Sequence, residues 1–477
     1  MSILVVTDKY PPSPVGGAEI SLHLLLKRLC RNGLEIQVAV LDGHANADAS
    51  VPEMYEGVPV FGLPALPTWP PTQLETWRAK TTSPNRLSRR LAWPESAIRY
   101  LAKTSVHTFS QRLDRLMLYR SLSKARATSW VPMMDDDLVN LGPATLALKK
   151  LIDSQKPKLI HADNYRSILV SAAVAQDHIP FVAMVRDNRF FCTRRDQNMT
   201  IGRDICSDCA LGCVAEAPLK SQQIRDMMRT IQTYRTEQLS KARTIVTTSQ
   251  YIANKLATLL PEARISAIGN PSGAAGIVDA FQENIKQATP PEILVVGMLN
   301  QNKGSDRAVE WILKLRQHLP DFRLVMAGAG QMGETLKRKA VAAGVADHLH
   351  LTGFLDRPSV FRAYRRASVV LAPNTWPEPF GRVPLEAGLS RRPVVAYDVG
   401  GVGESIVDGQ TGFLVPPGKE DELIARVVEC ITKPGLADML GEAAHTHILK
   451  RYNADKVASA LSAIWAEHLT EASPNQP

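Results

Sequence analysis

Asn374-Thr-Trp-Pro-Glu-Pro-Phe-Gly-Arg-Val-Pro-Leu-Glu-Ala-Gly-Leu-Ser-Arg-Arg-Pro-Val-Val-Ala396 is the stretch on which the reading of this chain turns. It sets two carboxylates, Glu378 and Glu386, eight positions apart, with Gly381 and a helix start between them. Apolar runs that read as buried strands lie on either side, Val369 to Ala372 and Val394 to Ala396. A strand-loop-helix-strand unit of this kind aims a helix N-terminus at one ligand. That terminus carries roughly half a positive charge and several N–H groups without intrahelical partners, which suits a phosphate. Each carboxylate can hold sugar hydroxyls through charge-assisted hydrogen bonds. A molecule that offers both chemistries is a nucleotide sugar.

Outward from this unit, strand alternates with helix. Ile3 to Thr7 reads as a buried strand, followed by a Pro- and Gly-rich loop from Pro11 to Gly17, a helix from about Ala18 to Asn32 stopped by Gly33, and a strand at Ile36 to Leu41. A second opening of the same kind runs from Glu292 to Gly297, through a loop to Lys303-Gly304, into a helix ending near Gln317. Further strands are expected at 159–161, 181–185, 244–248, 323–327 and 349–351. The pattern predicts two doubly wound α/β domains of Rossmann type facing a cleft, with a break near Gly269 to Pro291. The expected division is 1–285, 286–450, and a last segment, 451–477, whose helix crosses back onto the first domain.

A chain of 477 residues, 45% hydrophobic and 22% charged, has the makeup of a globular protein with room for two or three domains. No apolar run approaches the roughly 20 residues that span a bilayer, and the opening apolar run is too short for a signal-peptide core. A cytosolic location is therefore expected. The formal charge of +9 favours anionic partners. Between Pro64 and Trp130 strand signals vanish, and Ile98, Leu101, Val106, Phe109, Leu113 and Leu116 recur at helical spacing beside Arg99, Lys103, Arg112, Arg115, Arg120, Lys124 and Arg126. This basic helical insertion, about 64–135, reads either as a solvated face or as peripheral contact with the anionic inner face of a membrane. Nucleic acid is not an expected partner, since the basic residues belong to no recognised fold for that purpose.

The spacing Glu378-x7-Glu386 resembles that of the retaining glycosyltransferases of the GT-B fold, family 4, the "glycosyl transferases group 1" type. Gly400 to Val415 is similar to the family's segment after the second glutamate, Val296 to Gly304 to its phosphate-gripping loop, and Pro14 to Glu19 to its N-terminal glycine loop. The resemblance implies a hexosyltransferase acting on a nucleotide-diphosphate sugar and a glycan or lipid-linked acceptor, in cell-envelope or exopolysaccharide biosynthesis. It makes Glu378 the residue beside the donor sugar's hydroxyls and Glu386 the one that holds the ribose. Phe380, Gly381 and Arg382 would offer backbone N–H groups, and Lys303 would neutralise the leaving diphosphate. Gly328 and Gly330 match a tight strand-to-helix turn, Gly353 and Phe354 the loop at the base, and Gly16 and Gly17 the loop that approaches the donor phosphates.

Two positions depart from the family. Met298 stands where an arginine usually accompanies the lysine, so that another basic residue such as Arg382 substitutes, turnover is slow, or only binding survives. Arg186-Asp187 stands where a histidine precedes the aspartate at the acceptor side. An arginine is no base, yet it can stabilise a departing phosphate oxygen, and front-face transfer, in which the leaving phosphate takes the acceptor proton, needs none. Arg186 is thus expected as an electrostatic contributor, Asp187 beside it, and His161 as a structural histidine.

Six cysteines include four between Cys192 and Cys213. Cys192, Cys206, Cys209 and Cys213 can close a zinc site or hold an iron–sulfur cluster, expected as a structural staple while the chemistry itself requires no cofactor; four reduced thiols are the alternative. The rival functions are a catalytically silent nucleotide-sugar-binding protein and an iron–sulfur oxidoreductase with two Rossmann-like domains.

Overall fold

A computed structural model describes residues 2–12, 17–41, 51–63, 141–175, 179–192, 200–201, 204–205, 221–272 and 285–471. The basic insertion, Gly16, and the cysteines Cys206, Cys209 and Cys213 lie outside the described residues.

The first half comprises β1 (Ser2–Thr7), α1 (Gly17–Arg31), β2 (Glu35–Val40), a hairpin of β3 (Glu53–Tyr55) and β4 (Val58–Gly62), α2 (Leu141–Gln155), β5 (Leu159–Asp163), α3 (Tyr165–Val174), β6 (Phe181–Val185), a small hairpin of β7 (Thr200–Ile201) and β8 (Asp204–Ile205), α4 (Ser221–Leu239), β9 (Thr244–Thr247), α5 (Gln250–Leu259) and β10 (Ile265–Ala267). Its sheet runs β10-β9-β6-β5-β1-β2-β4-β3, parallel except for β3. The second half comprises β11 (Glu292–Val296), α6 (Ala308–Leu315), β12 (Arg323–Ala327), α7 (Gly333–Ala342), β13 (Leu349–Gly353), α8 (Arg357–Arg366), β14 (Val369–Ala372), α9 (Arg382–Leu389), β15 (Val394–Tyr397), β16 (Gly412–Val415), α10 (Glu420–Thr432), α11 (Leu436–Arg451) and α12 (Ala454–Glu471). Its parallel sheet runs β13-β12-β11-β14-β15-β16, the 3-2-1-4-5-6 order of a Rossmann sheet.

The strands form where the sequence is continuously apolar because helices cover both faces of a parallel sheet. Every residue of β5, β6, β14 and β15 is buried. In each sheet the order reverses beside the first strand, between β1 and β5 and between β11 and β14. Loops leaving the carboxyl ends of these neighbouring strands diverge to opposite faces and leave a crevice between them.

One face of the first sheet packs on α2 to α5, through residues such as Leu148, Ile168, Leu239 and Leu256. The other packs on α1 and on the last helix: Val457, Ala458, Leu461, Ile464, Trp465 and Leu469 of α12 join Leu22, Leu25 and Leu26 in one core. Each large apolar side chain buried this way contributes roughly 1.5–3 kcal/mol. Burial therefore holds α12 on the first domain, and the exposed Arg28–Asp455 ion pair at its start adds little. Elsewhere the halves meet through polar contacts. Asn188 donates to Pro377 O (2.8 Å), the Ser272 N–H to Tyr452 O (2.7 Å), and the Glu404 carboxylate accepts the Gln250 and Tyr251 N–H groups at the start of α5 (2.9 and 2.8 Å). Among the described residues no helix is long and apolar enough to cross a membrane.

Candidate functional site

The loops after β11 and β14 are laced together. The Thr375 N–H donates to Asn302 O (3.0 Å) and its hydroxyl to Gln301 O (2.8 Å), while the Asn300 side chain accepts the Lys303 N–H (3.0 Å). Gly304 makes this possible: it adopts φ 70°, and a Cβ there would lie 2.4 Å from Pro373 O. The lacing sets Lys303 opposite Glu378, with Nζ to Oε2 2.6 Å. Asn374 also donates to Glu378 Oε2, and Nζ lies 5.8 Å from the Trp376 ring centroid. Both partners remain partly exposed, at 21% and 17% of their side chains, so the pair is reachable from solvent.

Glu386, on α9, is more enclosed. Tyr364 donates to its Oε2 (3.2 Å), and Arg382 and Arg357 reach its Oε1 (3.1 and 3.5 Å). Burial, with Glu386 beside it, holds the Tyr364 hydroxyl protonated far above the ordinary tyrosine range, and burial lowers Arg357. Gly381, at φ 88°, turns the chain into α9. Phe380 is buried against Tyr452, so only its backbone is available to a ligand. Arg382 also crosses to the other domain, where Nη1 donates to Gly17 O (3.1 Å) and to the Ser21 hydroxyl.

The other candidate glycines cluster behind this site. A Cβ on Gly328 would lie 1.9 Å from Gly297 O, and one on Gly330 would meet the Leu299 backbone at 2.4 Å. Gly328 and Gly353 form a backbone bridge, which brings together the ends of β12 and β13. Phe354 and Met298, 84% and 63% exposed, follow β13 and β11 at the same edge.

On the first domain the geometry differs from the expectation for Arg186. Its guanidinium forks onto Asp163, Nε to Oδ1 2.7 Å and Nη2 to Oδ2 2.8 Å, and Nη1 donates to Asn270 (2.9 Å). The side chains of Arg186 and Asp163 are 3% and 0% exposed. The cation expected to face a departing phosphate is thus committed to a buried carboxylate, because β5 and β6 are neighbours and bring Asp163 to it. Burial alone would raise the Asp163 carboxyl; the Arg186 charge reverses this and holds it below the ordinary range. His161 is buried, and burial lowers its pKa. The Trp465 indole N–H, which can only donate, reaches its Nδ1 at 3.3 Å, so the ring proton sits on Nε2, 3.9 Å from Asp163. Asp187, the expected neighbour, turns to the Arg189 N–H (3.0 Å).

Sequence reading missed two further groups at this edge. Asp8, after β1, accepts the Ser167 N–H (2.8 Å) and the Arg166 N–H (3.4 Å) at the start of α3. Burial raises its pKa to about 7 against the pull of Arg166 and Arg189, although its surface stays partly accessible. Asn164, the residue before α3, holds φ 82° and ψ 168°, a glycine-like conformation that costs roughly 1–3 kcal/mol. An Asp soon after a first strand and an Asn just before a helix were visible signals, yet each is commonplace by itself. Among the described residues no group of three or more His, Cys, Asp and Glu side chains is placed to hold a metal. Cys192 is buried.

Residues 278–447 match the family described as glycosyl transferases group 1. Over 176 residues the chain is 31% identical to a glycogen synthase of Mycobacterium tuberculosis, covering 37% of this chain and 42% of that protein. Over 174 residues it is 32% identical to the lipopolysaccharide core biosynthesis mannosyltransferase LpcC of Rhizobium leguminosarum bv. viciae, covering 35% and 49%. The matched part therefore spans less than half the length of these curated relatives. Two solved structures share the fold almost end to end. Sucrose-phosphate synthase of Thermosynechococcus elongatus gives a TM-score of 0.64 at 17% identity, over 99% of this chain and 100% of that one. Anabaena HepE, solved with UDP, gives 0.59 at 17% identity, over 98% and 100%. Residues 278–447 thus resemble the glycosyl transferases group 1 family, and the shared pair of parallel sheets places the whole chain on the GT-B fold.

Proposed function

We propose that this chain is a retaining glycosyltransferase that moves a hexose from a nucleotide-diphosphate sugar to a glycan or lipid-linked acceptor of the cell envelope or an exopolysaccharide. The observation that carries the reading is the accessible Glu378–Lys303 pair, 2.6 Å apart at the switch point of the second sheet. Its loop touches the first domain through Asn188 and Pro377. In the proposed reaction the bond from the donor's anomeric carbon to the diphosphate oxygen breaks, its electron pair leaving with the phosphate. The acceptor oxygen bonds the same carbon on the same face, and its proton passes to the leaving phosphate oxygen, so no enzymic base enters. Glu378 orients the donor's hydroxyls, Lys303 and the N-terminus of α9 meet the charge that develops on the diphosphate, and Glu386 holds the ribose.

The domain division 1–285, 286–450 and 451–477, work at the cytoplasmic face, peripheral membrane contact through the basic segment, and a zinc or iron–sulfur staple at Cys192, Cys206, Cys209 and Cys213 belong to the same reading. HepE, solved with UDP-glucose, and a GDP-mannose-dependent mannosyltransferase of Mycolicibacterium smegmatis, 31% identical over 159 residues, make UDP- and GDP-sugars the first donors to try. The test is transfer and hydrolysis across UDP-, GDP- and ADP-sugars by the wild type and by Glu378→Ala. Turnover with one donor, lost in the variant, is expected, and full turnover by the variant refutes the donor-site assignment. Tight binding without turnover across the panel would favour the silent binding protein, the reading to which Met298 lends support.

A further inference from the structure

An ionised carboxylate offers about four acceptor positions. On Glu386, Oε1 is fully taken by Arg382 Nε (3.3 Å), Arg382 Nη2 (3.1 Å) and Arg357 Nη1 (3.5 Å), and Oε2 takes the Tyr364 hydroxyl (3.2 Å) and keeps one position. A ribose brings two hydroxyls, and both can bind Glu386 only when one of these donors steps aside. Tyr364 is fully buried and cannot. Arg357 has Nε and Nη2 buried without a hydrogen-bond partner, so it gains by moving further onto Glu386. Arg382 is the donor with somewhere else to go, because its Nη1 already reaches across the cleft to Gly17 O and the Ser21 hydroxyl. Those two acceptors are neutral. Once Glu386 turns to a ribose, the Arg382 charge stands part-buried without a counterion, and a diphosphate is the anion the same ligand brings.

Lys303 and Glu378 form a second pair of the same kind, on the loops after β11 and β14. Met298, 63% exposed after β11, adds no charge beside Lys303. Gly17 leaves space for the crossing guanidinium, since a Cβ there would lie 2.3 Å from Arg382 Cδ.

We propose that Arg382 is a diphosphate-binding residue that exchanges partners when the donor enters. Glu386 passes from Arg382 to the ribose, and the Arg382 guanidinium passes from Glu386 to the diphosphate while keeping its contact with the first turn of α1. The donor's charge is thereby tied to both domains. The inference rests on the donor-site reading above.

Binding of UDP, GDP and ADP, and of the matching phosphate-free nucleosides, is measured by ligand-observed NMR on the full chain and on Arg382→Met, Arg382→Lys and Lys303→Met. For the preferred base, Arg382→Met is expected to weaken the diphosphate at least tenfold and the nucleoside less than threefold, and to flatten the salt dependence of diphosphate binding. Arg382→Lys is expected to recover part of the loss at low salt, since it keeps the charge and loses the fork. Equal losses for diphosphate and nucleoside would overturn the proposal in favour of a purely structural arginine. So would a diphosphate affinity within threefold of wild type in Arg382→Met while Lys303→Met is weakened. If Lys303→Met also leaves the diphosphate unaffected, the donor-site reading itself falls.

Discussion

The Asp163–Arg186 pair lies at the carboxyl ends of β5 and β6, the Glu378–Lys303 pair past those of β14 and β11, and the two differ in what surrounds them. Asp163 and Arg186 are sealed, their side chains 0% and 3% exposed, with Asn270 taking the remaining guanidinium edge and His161 and Trp465 closing the other side. Glu378 and Lys303 keep a face toward solvent and share their contacts with one amide side chain. A saturated pair has no acceptor or donor left for a ligand, and removing one partner strands a charge. A half-open pair is exchangeable and costs little to break. The same chemistry thus serves cohesion in the first pair and, in the proposed reading, recognition in the second.

The sharpest way to break this contrast is Asp163→Asn. It leaves Arg186 buried beside a neutral amide and is expected to cost about 3–5 kcal/mol, read by urea unfolding. The Asp163 carboxyl titrates below its unfolded range, so the wild type holds this stability above pH 4 or so and loses it as pH falls through the folded value; the variant should lack that acid limb. A cost below about 1 kcal/mol would mean the pair is no more structural than its counterpart. Glu378→Ala should behave in the opposite way, with turnover reduced roughly 10²–10³-fold. Its unfolding free energy should move by about 1 kcal/mol or less. Should it unfold the protein instead, the two pairs would be alike.

Trp465→Phe keeps the ring in its core and deletes the donor to His161 Nδ1, and is expected to cost about 1–2 kcal/mol in unfolding free energy while leaving donor affinity unchanged. The last comparison concerns Asp8, the carboxylate that is neither sealed nor open. Its folded pKa of about 7 lies above the ordinary 3.8, so the folded chain keeps a proton the unfolded chain has released. Stability from this group is complete below about pH 4 and declines as pH rises to about 7. Asp8→Asn, which still accepts the α3 N–H groups, should show a shallower fall in unfolding free energy between pH 5 and pH 8 than the wild type.

Much of the fold was legible in the sequence. Runs such as Ile3 to Val6, Phe181 to Val185 and Val369 to Ala372 admit no face for water, which marks parallel strands, and Gly33, at φ 88°, stops α1 where expected. The hairpin of β3 and β4 was missed because its first strand is mostly exposed and its apolar residues do not alternate. Glu378, Glu386 and Lys303, which the structure brings to one cluster, were singled out from local spacing and from the family resemblance. The commitment of Arg186 was not, because its partner stands 23 positions away on a neighbouring strand, and Trp465 stands 304 positions from His161. The contact of Arg382 with the first domain depends on Gly17, 365 positions distant, and on the close approach a missing Cβ permits.

By itself the sequence determined the central parallel strands, that two parallel sheets are wound in succession, and that two glutamates and a lysine belong to neighbouring loops, because these follow from hydrophobic period, glycine placement and short spacing. Only the tertiary structure decided which charges are used up. Whether Arg186 or Arg382 is available to a ligand depends on the acceptors that other strands and the other domain bring within about 3 Å, and burial, which no local pattern encodes, sets the strength of those contacts.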